Sequence, residues 1–213
     1  MTAILVCGGT LSAAFLQEIR KQYKEASIYA VDGGLTIAAT AGIVPDVLVG
    51  DFDTAEPVLV EQYAKQCKVF RHPPEKDATD TELAIELAIE HGAEELVLLG
   101  ATGSRMDHTL ANIHMLYKIL LLGKRACIRN ENNRISLHKQ SFYKKKEEMF
   151  GNFVSFLPFG GEVTGVTLRG FKYPLEHALL TAGNSLGISN EVLSENIEIS
   201  FETGYLLMIE SRD

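Results

Sequence analysis

Through about residue 130, short apolar runs suited to β-strands alternate with stretches suited to amphipathic helices, and few architectures accept that rhythm. The expected strands are 3–6, 28–31, 47–49, 68–70, 95–99 and 126–128, with helical stretches near 11–24, 34–41, 56–66, 80–91 and 108–122. A parallel pair cannot be closed by a tight turn, so the alternation predicts a parallel sheet with crossover helices on its faces. Beyond residue 131 the rhythm changes. Segments 152–157, 161–169, 197–201 and 205–210 read as strands, and no long amphipathic helix competes with them. Pro158, Gly160-Gly161, Gly170 and Gly204 are expected to separate antiparallel strands. The expected fold class is therefore α/β, with a parallel-sheet domain at 1–130 followed by an all-β domain at 131–213. The lysine run at 144–146, followed by Glu147-Glu148, reads as a solvated hairpin or loop.

Composition narrows the class of partner. Hydrophobic residues make up 46% of the 213-residue chain and charged residues 23%, a balance that supports a packed core and argues against long disorder. A formal charge of −8 disfavours nucleic acid, whose backbone demands a basic surface, while leaving room for a single nucleotide held by a few cations and a metal ion. Cys7, Cys67 and Cys127 are sparse, widely spaced and odd in number, so neither a zinc site nor a disulfide framework is expected. No signal peptide or membrane span is expected either, which points to the cytoplasm.

In an open α/β sheet, ligands bind outside the carboxyl ends of the strands, and the chemically unusual residues of this chain fall there. The loops in question are Cys7-Gly8-Gly9, Asp32-Gly33-Gly34, Gly50-Asp51-Phe52-Asp53, Lys76-Asp77-Ala78-Thr79-Asp80-Thr81 and the segment from Gly100 to His108. Each admits a plain reading beside a functional one. Gly8-Gly9 serve a tight turn or a ligand equally well; Gly33-Gly34 beside Asp32 make room for a nucleotide near backbone N–H groups. The glycines form neither a Gly-Lys-Ser/Thr phosphate loop nor a GxGxxG fingerprint, which disfavours a P-loop kinase and an ordinary dinucleotide-binding fold. In an extended segment Asp51 and Asp53 face one way and Phe52 faces the core, so the two carboxylates suit a cation.

Thr79 with Glu82 fits a capping box, leaving Asp77 and Asp80 as helix-start acids or as ligands of a hard cation, with Lys76 as a phosphate contact. Asp107 reads as a helix N-cap or a metal ligand, Arg105 as a phosphate fork, and His108 as a phosphate or base contact. Together the loops point to metal-assisted phosphoryl or diphosphoryl chemistry on a nucleotide.

The same residues resemble the motifs of thiamine pyrophosphokinases: Asp32-Gly33-Gly34, Pro45-Asp46, Gly50-Asp51-Phe52-Asp53, Lys76-Asp77-Ala78-Thr79-Asp80-Thr81, and Arg105-Met106-Asp107-His108 with Asn112. Phe171-Lys172-Tyr173-Pro174-Leu175 and Ser189-Asn190-Glu191 are similar to that family's acceptor-side segments. Thr54 stands where the family commonly has Ser, and Tyr173 where it often has Trp, a residue this chain lacks.

The resemblance implies a Rossmann-like first domain, a β-sandwich second domain, a homodimer, and transfer of diphosphate from ATP to thiamine with release of AMP. It implies magnesium held by some of Asp51, Asp53, Asp77, Asp80 and Asp107. ATP would be bound through Asp32, Gly33, Gly34, Lys76, Thr79, Thr81, Arg105 and His108. Thiamine would meet Lys172, Tyr173, Ser189 and Asn190, and one of the acids would take the hydroxyl proton. Two other readings fit the residues alone: a metal-dependent phosphohydrolase, and a nucleotide- or thiamine-sensing module without turnover.

Overall fold

The structure is a computed structural model, and it describes residues 1–52, 56–72 and 77–213. The chain is mixed α/β and divides into two compact units, Met1–Glu131 and Asn132–Asp213.

In the first unit the elements run β1 (Thr2–Val6), α1 (Ala13–Gln22), β2 (Ser27–Val31), α2 (Gly34–Thr40), β3 (Val47–Gly50), α3 (Pro57–Ala64), β4 (Lys68–Arg71), α4 (Asp80–Glu90), β5 (Glu95–Leu99), α5 (Met106–Leu121) and β6 (Arg125–Arg129). The strands lie in the order β4-β3-β2-β1-β5-β6, every neighbouring pair parallel. The chain therefore winds outward from β1 to one edge, then returns to the other side of β1 for β5 and β6. The strand order reverses between β1 and β5, where crossovers lead away in opposite directions and a crevice opens. On one face Ile4, Val6, Ile28, Val97 and Leu99 pack with Phe15, Leu16 and Ile19 of α1 and Ala38 of α2. Tyr29, which follows Ile28 and so points to the opposite face, meets His91 at the end of α4 with 2.8 Å between Oη and Nδ1.

The second unit contains β7 (Asn133–His138), β8 (Phe142–Lys145), a 3-10 turn (Lys146–Glu148), β9 (Phe153–Arg169), β10 (Leu175–Leu180), β11 (Asn190–Glu191), β12 (Asn196–Ser200) and β13 (Thr203–Ser211). Strands pair antiparallel in the order β7-β13-β9-β12-β8, and β10 and β11 also pair with β9. Val154, Phe156, Val166, Leu168, Ile197, Ile199, Leu206 and Met208 form its core, with Phe171 set edge-on to Phe156.

Four local expectations are corrected. The segments expected as separate strands at 152–157 and 161–169 form one strand, β9, which passes through Pro158 and Gly160-Gly161. The strand bends there: Gly160 and Gly165 adopt φ of 69° and 66°, and pairing with β13 loses register between Thr203 and Tyr205. The lysine run is not wholly solvated. Lys144 lies in β8 with its ammonium 2.7 Å from the Glu210 carboxylate, which is 1% exposed. Phe52 does face the core, packing with Leu35, Leu48, Val60 and Tyr63, but at φ 62° it is not extended. Finally, α5 begins at Met106, so Arg105 rather than Asp107 takes the N-cap position.

Candidate active site

The crevice between β1 and β5 opens into a cavity of about 790 Å³ at the carboxyl ends of the parallel strands. Backbone hydrogen bonds build its floor. The β1–β5 ladder continues beyond both strands through Cys7 N–H to Leu99, Gly9 N–H to Gly100 and Thr10 N–H to Thr102, each 2.8 Å to the carbonyl oxygen. Such approach requires glycine: a Cβ on Gly9 would stand 2.3 Å from the Gly100 oxygen. Gly34 likewise presses on β1, where an added Cβ would come within 1.8 Å of the Val6 oxygen. Gly9 and Gly34 are thus needed by the protein's own backbone, and Gly8, Gly9 and Gly33 line the cavity.

Four of the five loops singled out from the sequence contribute walls with described side chains of the right chemistry. Asp32 follows β2, Asp51 follows β3, and Thr79, Asp80 and Thr81 open α4; Arg105 and His108 lie where the β5 loop enters α5. Asp32 takes a left-handed φ of 45°, an uncommon conformation for a non-glycine residue and one that directs the chain sharply into Gly33. Thr79 caps α4 by accepting the Glu82 N–H at 3.2 Å. The expected reciprocal half of the box is absent because the Glu82 carboxylate pairs with Lys118 at 2.7 Å.

Arg105 and Asp107 form a fork, with Nε to Oδ1 at 3.2 Å and Nη2 to Oδ2 at 2.6 Å. That hydrogen bond, with help from the His108 backbone N–H, holds the Asp107 carboxyl down to about 2. Asp107 therefore stays ionised and orients the guanidinium. Neither Asp107 nor Asp77 lines the cavity, and Asp53 and Lys76 lie outside the described residues. Asp46 ends up in a supporting role, its carboxylate accepting the Ile28 N–H at 2.8 Å to fix the start of β2.

Among the described residues no three acidic, histidine or cysteine side chains stand together as a metal cage. The cavity nonetheless offers the donors that magnesium favours, carboxylates from separate loops with room for water and phosphate oxygens. Cys7 does not compete as a ligand: burial pushes its thiol up to about 11, and it accepts a weak hydrogen bond from Thr81 at 3.7 Å.

Sequence reasoning overlooked Thr10 and Thr109, which also line this cavity. Thr109 falls four residues after Arg105, the spacing at which a helical hydroxyl reaches back to a carbonyl, and that spacing was the available signal. Asn112, one turn further on, donates from Nδ2 to the Ala101 carbonyl at 2.7 Å and anchors the loop from inside.

In the second unit the four residues expected to meet the acceptor lie near one another. Asn190 is buried at the start of β11 and clasps Tyr173, accepting its N–H at 2.9 Å and donating to its carbonyl at 2.7 Å. Lys172 pairs with Glu191 at 2.6 Å and stands 5.6 Å from the centre of the Tyr173 ring, which is 56% exposed. Ser189, at φ 54°, donates its N–H to the Ser155 hydroxyl at 3.0 Å.

Comparison with known proteins identifies the family. Residues 20–128 match the family model described as thiamin pyrophosphokinase, catalytic domain, and residues 139–206 match thiamin pyrophosphokinase, vitamin B1 binding domain. A thiamine pyrophosphokinase of Bacillus subtilis is 36% identical over 186 residues, covering 86% of each chain. The crystal structure of thiamine pyrophosphokinase from Bacillus subtilis superposes with a TM-score of 0.88 at 31% identity, over all of both chains. That of the Geobacillus thermodenitrificans protein gives 0.86 at 31% identity, over all of this chain and 98% of the other. The chain belongs to the thiamine pyrophosphokinase family.

Proposed function

We propose that this protein transfers the terminal diphosphate of ATP to the hydroxyethyl oxygen of thiamine, giving thiamine diphosphate and AMP. One observation carries the reading at the level of geometry: Asp51, Asp80 and Arg105 reach a single cavity at the sheet's switch point from three separate loops. Opposite charges delivered by independent loops suit a polyphosphate with its cation better than a neutral ligand. On this reading the first unit is a Rossmann-like nucleotide domain and the second a β-sandwich that carries the acceptor residues. A homodimer in the cytoplasm, where ATP is supplied and free thiols persist, completes it. No helix among the described residues is long and apolar enough to cross a membrane.

In the reaction the acceptor oxygen forms a bond to the β-phosphorus of ATP while the bond from that phosphorus to the α–β bridging oxygen breaks, and the oxygen leaves with AMP. Asp51 and Asp80 would hold magnesium, with Asp53, Asp77 and Asp107 as the further carboxylates that the motifs supply. Magnesium, when bound, supplies neutralisation of the phosphate charge. Arg105, already oriented by Asp107, adds fixed positive charge where the leaving phosphate gains negative charge. Gly33, Thr79, Thr81 and His108 shape the cavity around the nucleotide, beside Asp32 and Gly34 in the turn, and Lys76, four positions before Asp80 in the sequence, would add a phosphate contact. Tyr173 offers a ring face to the acceptor, with Lys172, Ser189 and Asn190 around it. One of the loop carboxylates accepts the hydroxyl proton.

Phosphorus NMR of the protein with ATP, magnesium and thiamine tests this directly. AMP appearing with a new diphosphate ester supports the proposal. ADP would mean single phosphoryl transfer, and free phosphate would mean hydrolysis; either contradicts it.

A further inference from the structure

We propose that the Thr109 hydroxyl is a positioning group for Arg105, fixing the end of the β5 loop so that the guanidinium meets the nucleotide's phosphates; this rests on the diphosphokinase reading above. Thr109 is buried in the first turn of α5 and lines the cavity. Its Oγ1 donates to the Arg105 carbonyl at 3.2 Å and accepts the Gly103 N–H at 3.2 Å. The first bond is the ordinary backward reach of a helical threonine. The second leaves the helix and captures an N–H of the preceding loop, so one hydroxyl ties the loop to the helix on both sides of Ser104.

Among the described residues Thr109 supplies the side-chain tie to the last part of the loop. Gly100, Ala101 and Thr102 are secured by Gly9, Asn112 and Thr10, through the bonds already described. From Gly103 to Arg105 the corresponding ties run through Thr109, whose own N–H also donates to the Arg105 carbonyl at 3.1 Å. The Asp107 fork orients the guanidinium, but both side chains are largely exposed, and a fork between residues two apart cannot fix where the backbone beneath it runs. Thr109 holds the base of Arg105 and Asp107 its tip. Taking away the hydroxyl strips Gly103 of its acceptor in a half-buried loop and frees the base alone.

The test measures kcat and KM for Mg-ATP, with thermal unfolding, in the wild type, Thr109→Val and Thr109→Ser, each also carrying Arg105→Ala. Thr109→Val is expected to lower kcat/KM by about tenfold and Thr109→Ser by no more than about twofold. In the Arg105→Ala background the Val substitution is expected to change kcat/KM by less than about twofold, because both changes remove one action. Thr109→Ala, which adds no bulk, replaces the Val variant should that variant unfold. An equal loss in both backgrounds would make Thr109 a purely structural residue and overturn the proposal. An active wild type with unchanged Thr109 variants would overturn this proposal alone, whereas a wild type that makes no thiamine diphosphate would overturn the diphosphokinase reading itself.

Discussion

Arg105 and Asp107 beside the cavity of the first unit keep 71% and 63% of their side-chain surface in solvent, while Glu210 in the second unit keeps 1%. The buried carboxylate accepts from the Arg134 guanidinium, from the Lys144 ammonium at 2.7 Å and from the Phe150 N–H at 3.1 Å. Burial pushes the Glu210 carboxyl up, and Arg134 and Lys144 more than reverse that, leaving it below its ordinary range. The exposed fork is built from neighbours in sequence and faces a ligand space; the sealed cluster ties β8 to the paired strands β7 and β13. Similar ionic chemistry thus serves opposite ends. A sealed ion cluster is costly to disrupt and specifies strand arrangement, whereas an open pair contributes little to stability and remains available to a substrate.

Four changes would break or sharpen that contrast. The largest is Glu210→Ala, which leaves the partly buried Arg134 and Lys144 without their anion and should destabilise the second unit by about 3 kcal/mol in denaturant unfolding. An unchanged midpoint would show that the cluster is not structural. Next, Asp51→Asn and Asp80→Asn should each lower turnover about a hundredfold or more, comparable with loss of one preorganised electrostatic contact. Their thermal midpoints should stay close to the wild type, because both side chains line an open cavity and not the packed core. Near-normal turnover in both would remove them from the reaction.

Acid separates the two regions further. Burial and then the nearby Lys144 hold His138 down to about 4 from an ordinary 6.5. Its ring stacks on Phe142 at 4.1 Å and its Nε2 lies 2.9 Å from the Ser136 hydroxyl. Between those two values the unfolded chain binds one proton more than the folded one, so stability is full above 6.5 and falls as pH drops towards 4. The loss should reach no more than about 3 kcal/mol, and His138→Gln should flatten it. Across the same window the Arg105–Asp107 fork should persist, since the Asp107 carboxyl titrates only near 2. The smallest effect is Asp107→Asn, expected to leave unfolding unchanged and to cost about tenfold in turnover by loosening Arg105, one charge-assisted hydrogen bond's worth.

Much of the first unit was legible in the sequence because burial on both faces of a parallel sheet writes strands as apolar runs: 95–99 reads as a strand and is one, and the others differ by a residue or two. The second unit was less so. Strand β7, Asn-Arg-Ile-Ser-Leu-His, buries only Ile135 and Leu137, and β10 carries two register shifts and a left-handed His177, so neither offered a clean alternation. Continuous β9 was hidden by Pro158 and its glycines, which bend a strand here instead of ending it. At the site, chemistry was readable and geometry was not. Asp80 and Arg105 stood out as residue types, but nothing local in the chain said that Gly9 would be spent on a contact with Gly100, ninety-one positions away, or that Asp107 would grip Arg105. Lys144 was misplaced for the same reason, since its partner Glu210 lies 66 residues downstream.

The central claim is that the loops after β1, β2, β3 and β5, with the start of α4, capture Mg-ATP. A crystal structure of the protein with magnesium and a non-hydrolysable ATP analogue tests it most directly. The account predicts the triphosphate in the cavity between β1 and β5, the metal on Asp51 and Asp80, and Arg105 on phosphate oxygens. A nucleotide bound elsewhere, with those three side chains away from phosphate and metal, would contradict it.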